Sequence, residues 1–395
     1  MNTNRQLFLS HLGQTSPQPL LKEISHAEGI YLYAPDGKQY IDLVSGVSVS
    51  NLGHNNPYIV EKVCEQTQKF MHLLVYGELI QEPQVQFAKA LIEVLDVPFE
   101  MVYFVNSGSE AVEGAIKLAK RYTHRHEVIA FKHSYHGSTQ GAMSVMGGEY
   151  YKEAFRPLIP GTTFLDFNNF RQIETISTKH ACVIVEPIQG EAGIILPEPH
   201  FLNALREQCN KTGTLLIFDE IQTGFGRTGK MFAFQKYGVV PDIICLAKAL
   251  GGGMPLGAFI SNRAIMQTLT HSPILGHITT FGGHPVCCAA GMASLSYIRN
   301  NDYLLTSIPH KETLFRQNLI HRRIKNIRGT GLFLAVELEN QEILYKTIYS
   351  LCENGIITDP FLFCPTHFRI APPLIITSEQ IIEACEKIIE VLNEL

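Results

Sequence analysis

Between residues 101 and 247, short apolar runs recur along the chain, each closing on a polar or glycine-rich turn that opens a helix-like stretch. Five of them, Met101–Asn106, Glu127–Lys132, Ala181–Glu186, Thr214–Asp219 and Asp242–Ala247, read as strands. Several are apolar almost without interruption, as expected of a parallel sheet covered by helices on both faces. Upstream, EGIYLYAPDGKQYIDL (28–43) reads as two strands joined at the Asp36-Gly37 turn. From Arg328 onward the rhythm shortens to GTGLFLAVEL, GIITDPFLF and FRIAPPLII, and the chain closes on an amphipathic helix. The pattern predicts an α/β fold. A large domain over residues 56–295 carries a mainly parallel central sheet flanked by helices, and residues 1–55 and 296–395 form a smaller α+β domain.

Composition narrows the class of function. The chain has 395 residues, 45% hydrophobic and 17% charged, with a net charge of −5 spread along its length. No basic block stands out, which argues against nucleic acid and anionic membrane as partners. No apolar stretch approaches the ~20 residues that cross a bilayer, and the opening MNTNRQLFLSHLGQ lacks the apolar run of a secretory signal. A cytoplasmic location is therefore expected. Nine cysteines occur with no C-x-x-C, and no histidines stand at zinc-ligand spacing. They read as reduced, small apolar residues, and no metal is expected. The absence of G-x-G-x-x-G after an early strand makes a nicotinamide dehydrogenase the poorest fit.

Chemistry gathers where the strands end, the edge at which open α/β sheets place their sites. Asn106-Ser107-Gly108-Ser109-Glu110 carries a strand into a helix, with Ser107 and Glu110 spaced as a capping box. Ala111, Ala115, Leu118, Ala119 and Tyr122 mark the buried face of that helix. Its N-terminus offers free N–H groups, hydroxyls and the positive end of the dipole to an anion such as phosphate. Asp219 closes LLIFD, where it caps a turn or faces a ligand. Lys248 sits among apolar residues just before Gly251-Gly252-Gly253, a costly place for an unpaired ammonium. The glycines suggest a close backbone approach. Asp219 and Lys248 lie 29 residues apart, about one strand–helix–strand unit, so both reach the same sheet edge. A phosphate cradle, a carboxylate and a desolvated lysine together are what pyridoxal 5'-phosphate (PLP) requires.

In chain order, SGSEAVEGAIKLAK, EPIQGEAG, IFDEIQTGFGRTG, LAKALGGGMPLGA, TTFGGHP and FRIAPPL resemble the class III aminotransferases. These are PLP enzymes of fold type I that include ornithine, acetylornithine and 4-aminobutyrate aminotransferases. The resemblance implies that Lys248 is the Schiff-base lysine and proton carrier, and that Asp219 pairs with the pyridine nitrogen. It assigns Gln222 to the ring hydroxyl, Ser107, Gly108 and Ser109 to the phosphate, and Tyr135 to the ring face. Thr280 would reach the phosphate of the neighbouring subunit, which implies a homodimer with shared active sites. Arg369 matches an arginine that binds a substrate carboxylate, and Glu191 the glutamate that masks it. The implied reaction moves an amino group from an amino acid or ω-amine donor to an oxo acid such as 2-oxoglutarate or pyruvate.

Three departures bear on substrate. Ser138 stands where the acetylornithine, ornithine and 4-aminobutyrate enzymes carry an arginine, which weakens acetylornithine or ornithine as the donor, and the Tyr-His-Gly-Ser-Thr run looks more like the ω-amine transaminases of the same class. His284 replaces the usual asparagine of TTFGGNP-like turns, and Ser45–Ser50 lacks the paired aromatics of diaminopelargonate aminotransferases. The alternatives are an aminomutase of the glutamate-1-semialdehyde type and a PLP-binding protein without turnover.

Overall fold

The computed structural model describes residues 3–75, 77–95 and 97–395. Its described strands are β1 (His26–Glu28), β2 (Tyr31–Tyr33), β3 (Gln39–Asp42), β4 (Met101–Val105), β5 (Glu127–Phe131), β6 (Thr162–Leu165), β7 (His180–Val185), β8 (Leu215–Asp219), β9 (Ile243–Leu246), β10 (Gly257–Ser261), β11 (Asn326–Thr330), β12 (Phe333–Glu337), β13 (Ile356–Ile357), β14 (Pro360–Phe361) and β15 (Cys364–Ile370). Seven of them form the central sheet in the order β4-β10-β9-β8-β7-β5-β6. β10 is antiparallel to both of its neighbours, and the remaining pairings are parallel. The five strands read from sequence are all present, each within a residue or two of its expected ends. β6 and the reversed β10 were not foreseen.

Side chains alternate across this sheet and both faces are covered. In β7, Cys182 and Ile184 join the apolar cluster around the Gly108–Thr123 helix. Val183 and Val185 join a larger cluster with Phe87, Phe201 and Leu295 on the opposite face. Period-two alternation with both faces apolar gives the uninterrupted run, since neither face can carry a polar residue cheaply.

β1, β2 and β3 form an antiparallel meander whose β3 pairs in parallel with β13 near the other end of the chain. A third sheet runs β11-β12-β15-β14. Arg227 ties these parts together: fully buried, it donates to the carbonyls of Leu332 and Pro372 and to Ser45 and Asn51.

One expectation needs correction, and another gains its partner. Tyr122 is 41% exposed, although Ala111, Ala115, Leu118 and Ala119 are buried. It lies on the expected helix face, one turn beyond Leu118, the fourth residue before it, which is buried. The close approach at the glycines after Lys248 is to protein: a Cβ on Gly252 would lie 2.7 Å from the carbonyl oxygen of Ala290, in the Pro285–Arg299 helix.

Candidate active site

Because β4, β5, β7, β8 and β9 are parallel, their carboxyl ends share one edge of the sheet. A cavity of about 470 Å³ opens there, lined among others by Ser107, Gly108, Ser109, Tyr135, His136, Glu186, Asp219, Gln222 and Lys248. A larger surface groove near Tyr345 and Leu395 lies elsewhere and gathers no comparable set of groups.

The cradle is built at the start of the Gly108–Thr123 helix. Ser107 is its N-cap, accepting the Glu110 N–H on Oγ at 3.2 Å. The other half of the expected box is absent: the Glu110 carboxylate accepts from the backbone N–H of Asn106 at 2.6 Å and from its side-chain amide at 2.9 Å. The N–H groups of Gly108 and Ser109 belong to the first helical turn, which has no intrahelical acceptor. They and the dipole face the cavity, as an anion requires. Ser109 Oγ accepts the Ser138 N–H at 3.2 Å and keeps its own proton to donate. The turn carrying Tyr135 lies this close because residue 137 is glycine. Its φ is +125°, and a Cβ there would sit 2.0 Å from Ser109 Oγ.

Opposite the cradle stand the carboxylates. Asp219 Oδ2 accepts from His136 Nδ1 at 2.7 Å, and Oδ1 accepts the Ile221 N–H at 3.1 Å. Both side chains are buried, and His136 Nε2 has no hydrogen-bond partner among the described residues. Glu186 accepts the Tyr135 and Gly190 N–H groups, each at 2.9 Å. Burial pushes its carboxyl up to about 7, with His136 opposing the rise.

Lys248 follows β9 with a φ of +53°, a left-handed conformation that a lysine adopts at a cost. Its amine is pushed down to about 8 by burial, which the nearby Glu191 carboxylate partly offsets. It forms no salt bridge among the described residues. An uncharged amine aimed into a cavity is a nucleophile and a base.

Arg369, on β15, is buried and held on two sides. Its Nη2 donates to Glu191 Oε1 and its Nε to Asp359 Oδ1, both at 2.8 Å, while Phe361 lies 4.5 Å beneath the guanidinium. Glu191 also accepts from Gln222 Nε2 at 3.1 Å. Burial raises Glu191, but Arg369 outweighs it and holds the carboxyl below its ordinary range. Thr280 lies outside the cavity, exposed, on a turn before the Pro285–Arg299 helix. Thus Ser107, Gly108, Ser109, Tyr135, Asp219, Gln222 and Lys248 line one cavity, the Arg369–Glu191 pair adjoins it through Gln222, and Thr280 stands apart.

Three residues escaped the sequence reading. His136 was visible in the Tyr-His-Gly run, but its partner is 83 residues away. Glu186 was visible as the acid directly after β7. Asp359 offered no signal beyond an acid beside a proline.

A donor cradle at a helix N-terminus, a carboxylate opposite it and a desolvated lysine on the adjoining strand end define a PLP-dependent transferase of fold type I. The chain belongs to the class III aminotransferases: the family model for aminotransferase class-III matches residues 13–392. Acetylornithine aminotransferase of Clostridium acetobutylicum is 38% identical over 369 residues, covering 90% of this chain and 92% of that protein. Putrescine aminotransferase of Pectobacterium atrosepticum is 37% identical over 380 residues, covering 91% and 80%. Among solved structures, ornithine aminotransferase of Toxoplasma gondii superposes with a TM-score of 0.92 at 29% identity, covering 100% of this chain and 96% of that one. An (S)-enantioselective ω-transaminase from Thermomicrobium roseum gives 0.89 at 27%, covering 98% and 97%. The protein is a PLP-dependent aminotransferase; the aminomutase and the binding-only alternative are not favoured.

Proposed function

We propose that this site moves an amino group from an ω-amine or amino acid donor to an oxo acid such as 2-oxoglutarate or pyruvate, with Lys248 carrying the cofactor. The observation behind this reading is that Lys248 and Asp219 end adjacent strands beneath one helix N-terminus, inside one cavity. The bound cofactor supplies an aldehyde for the amine and a ring that accepts electrons from the substrate.

In this reading, the N–H groups of Gly108 and Ser109 and the hydroxyls of Ser107 and Ser109 hold the phosphate. Asp219, fixed by His136 and Ile221, keeps a proton on the pyridine nitrogen, Gln222 takes the ring hydroxyl, and Tyr135 covers a ring face. Lys248, freed as an amine with its pKa lowered to about 8, would carry the proton removed from the substrate carbon that bears the amino group. Arg369 binds a carboxylate of the oxo acid, and Glu191 covers it while a donor without a carboxylate occupies the site. Two carboxylates facing Arg369 and a serine at 138 favour an ω-amine donor. The putrescine relative agrees with this preference, and the acetylornithine relatives do not.

We also propose a homodimer. Met71, Ile80, Ile274, Ile278 and Phe281 are 62%, 95%, 74%, 50% and 55% exposed. The two segments that carry them touch, since His72 bonds to Thr280 and its ring lies 4.9 Å from that of Phe281. An apolar band of this kind is disfavoured on a monomer, and Thr280 lies within it, suited to reach the partner's phosphate. The division into residues 56–295 and 1–55 with 296–395 draws support from β3–β13 pairing and from a separate apolar cluster that joins both chain ends. Nine free cysteines suit a cytoplasmic location.

The test is spectroscopic. The purified protein should absorb in the visible from lysine-bound cofactor, lose that band on addition of its donor and regain it with an oxo acid. Lys248→Ala should lack the band. Retention of the same band by Lys248→Ala would overturn the assignment.

A further inference from the structure

The turn from Thr279 to His284 is tied down at three points by distant parts of the chain. Asn106 Nδ2 donates to Thr279 Oγ1 at 3.0 Å, His72 Nε2 to the Thr280 carbonyl at 2.8 Å, and Gln84 Nε2 to the Gly283 carbonyl at 2.6 Å. The turn lies flat on β4 because of its glycines: a Cβ on Gly282 would come within 2.6 Å of the Phe104 carbonyl oxygen. Thr280 and Phe281 are thereby left facing outward. A carbonyl only accepts, so the bond to Thr280 places a proton on His72 Nε2. The His72 ring is set in turn by its neighbours. It lies 4.9 Å from Phe281 and 5.6 Å from His284, the latter at an interplanar angle of 29°. His284 is the residue that departs from the family's asparagine, and here it stacks on His72.

We propose that His72 is a positioning residue for the partner subunit's cofactor phosphate, acting through Thr280 and backed by the His284 ring. This rests on the reading of Thr280 as a phosphate ligand across the dimer. The direction in which the Thr280 side chain points depends on the backbone of its own peptide unit. Of the three anchors, His72 is the one that holds that unit. Without it, that carbonyl loses its fixed donor and the peptide samples other orientations. The phosphate then loses a donor that was held in place in advance.

The experiment titrates full-length protein freed of cofactor with PLP and, separately, with pyridoxal, which lacks the phosphate. Sedimentation checks the dimer. Thr280→Val and His72→Phe should each weaken PLP about tenfold and leave pyridoxal unchanged. The double variant should bind PLP no worse than Thr280→Val alone, because the two residues act in series. His72→Gln, which keeps an N–H donor, should bind like the unmodified protein. If His72→Phe fails to give a folded dimer, His72→Asn replaces it, since its shorter amide falls short of the carbonyl. Unchanged PLP binding in His72→Phe (or His72→Asn where that replaces it), with Thr280→Val weakened, overturns the role of His72 and leaves that of Thr280. Equal loss of PLP and pyridoxal also overturns it. No effect of Thr280→Val removes the phosphate reading itself, and the role of His72 falls with it.

Discussion

His136 donates through Nδ1 to Asp219 Oδ2 across 2.7 Å, with both side chains buried. With Oδ1 engaged by the Ile221 N–H, the carboxylate is fixed in its plane at the floor of the cavity. A buried donor of this kind stabilises the ionised carboxylate. His136→Leu should retain PLP but lower kcat/KM about tenfold to hundredfold and shift the pH at which the cofactor spectrum changes. His136→Asn, with a side-chain N–H in reach, should restore part of both. An unaltered spectrum in His136→Leu would leave the histidine a packing role alone.

Burial pushes Lys248 down to about 8. The amine must be uncharged to attack an aldehyde, so it reacts in the pH range above that value. The rate of PLP uptake by cofactor-free protein should rise with pH through about 8 and level off beyond it. Stopped-flow absorbance measures it. A midpoint at the value of a solvent-exposed lysine would contradict the desolvated site.

Arg369 faces two carboxylates from different parts of the chain. Asp359 precedes β14 in its own sheet, while Glu191 follows β7 of the central sheet. Glu191→Gln removes one charge and loosens the cover, leaving Asp359 to hold the guanidinium. The KM for 2-oxoglutarate should fall about threefold to tenfold, and discrimination against donors with a carboxylate at the reacting end should weaken. Steady-state kinetics of the two half-reactions separates these effects.

Ser138 Oγ lies 3.2 Å from the hydroxyl of Tyr135, a residue that lines the cavity. Ser138→Arg brings a guanidinium to that position, where it can pair with a carboxylate at the far end of a donor. Its kcat/KM for acetylornithine or 4-aminobutyrate should rise about tenfold relative to that for a simple diamine. Unchanged relative activities would show that this position does not govern the donor.

His367, buried on β15 beside Cys364, is pushed down to about 4, mainly by burial and further by Arg328. Below its ordinary value of about 6.5, the unfolded chain takes up a proton that the folded chain does not bind until about 4. Stability is therefore lost as pH falls through that window. The drop in Tm between neutral and mildly acidic pH should be smaller for His367→Gln than for the unmodified protein. Scanning calorimetry at matched ionic strength checks it.

Much of this molecule can be read along one dimension, because the relevant periodicities are local. A strand covered on both faces is apolar at every position, so VIV in β7 and LLIF in β8 announce themselves. β10 was missed because GAFIS follows a glycine-rich turn with little length to signal a strand, and its reversal depends on how that turn folds. Gly252 shows the same limit: its positive φ was foreseeable, but the helix it packs against begins over thirty residues later.

For the site, the sequence by itself determined which groups arrive at the strand ends. Ser107, Asp219 and Lys248 each terminate a recognisable apolar run, and parallel connectivity delivers all three to one edge. Only the tertiary structure decided what those groups meet. His136 finds Asp219, Asp359 and Glu191 converge on Arg369, and Glu110 reaches back to Asn106, clear of the Ser107 N–H. The His136–Asp219 and Glu191–Arg369 pairs join segments 83 and 178 residues apart, and even the local Glu110–Asn106 contact depends on which rotamer the fold selects. Their strength comes from burial and from ångström-scale geometry, and neither leaves a period along the chain.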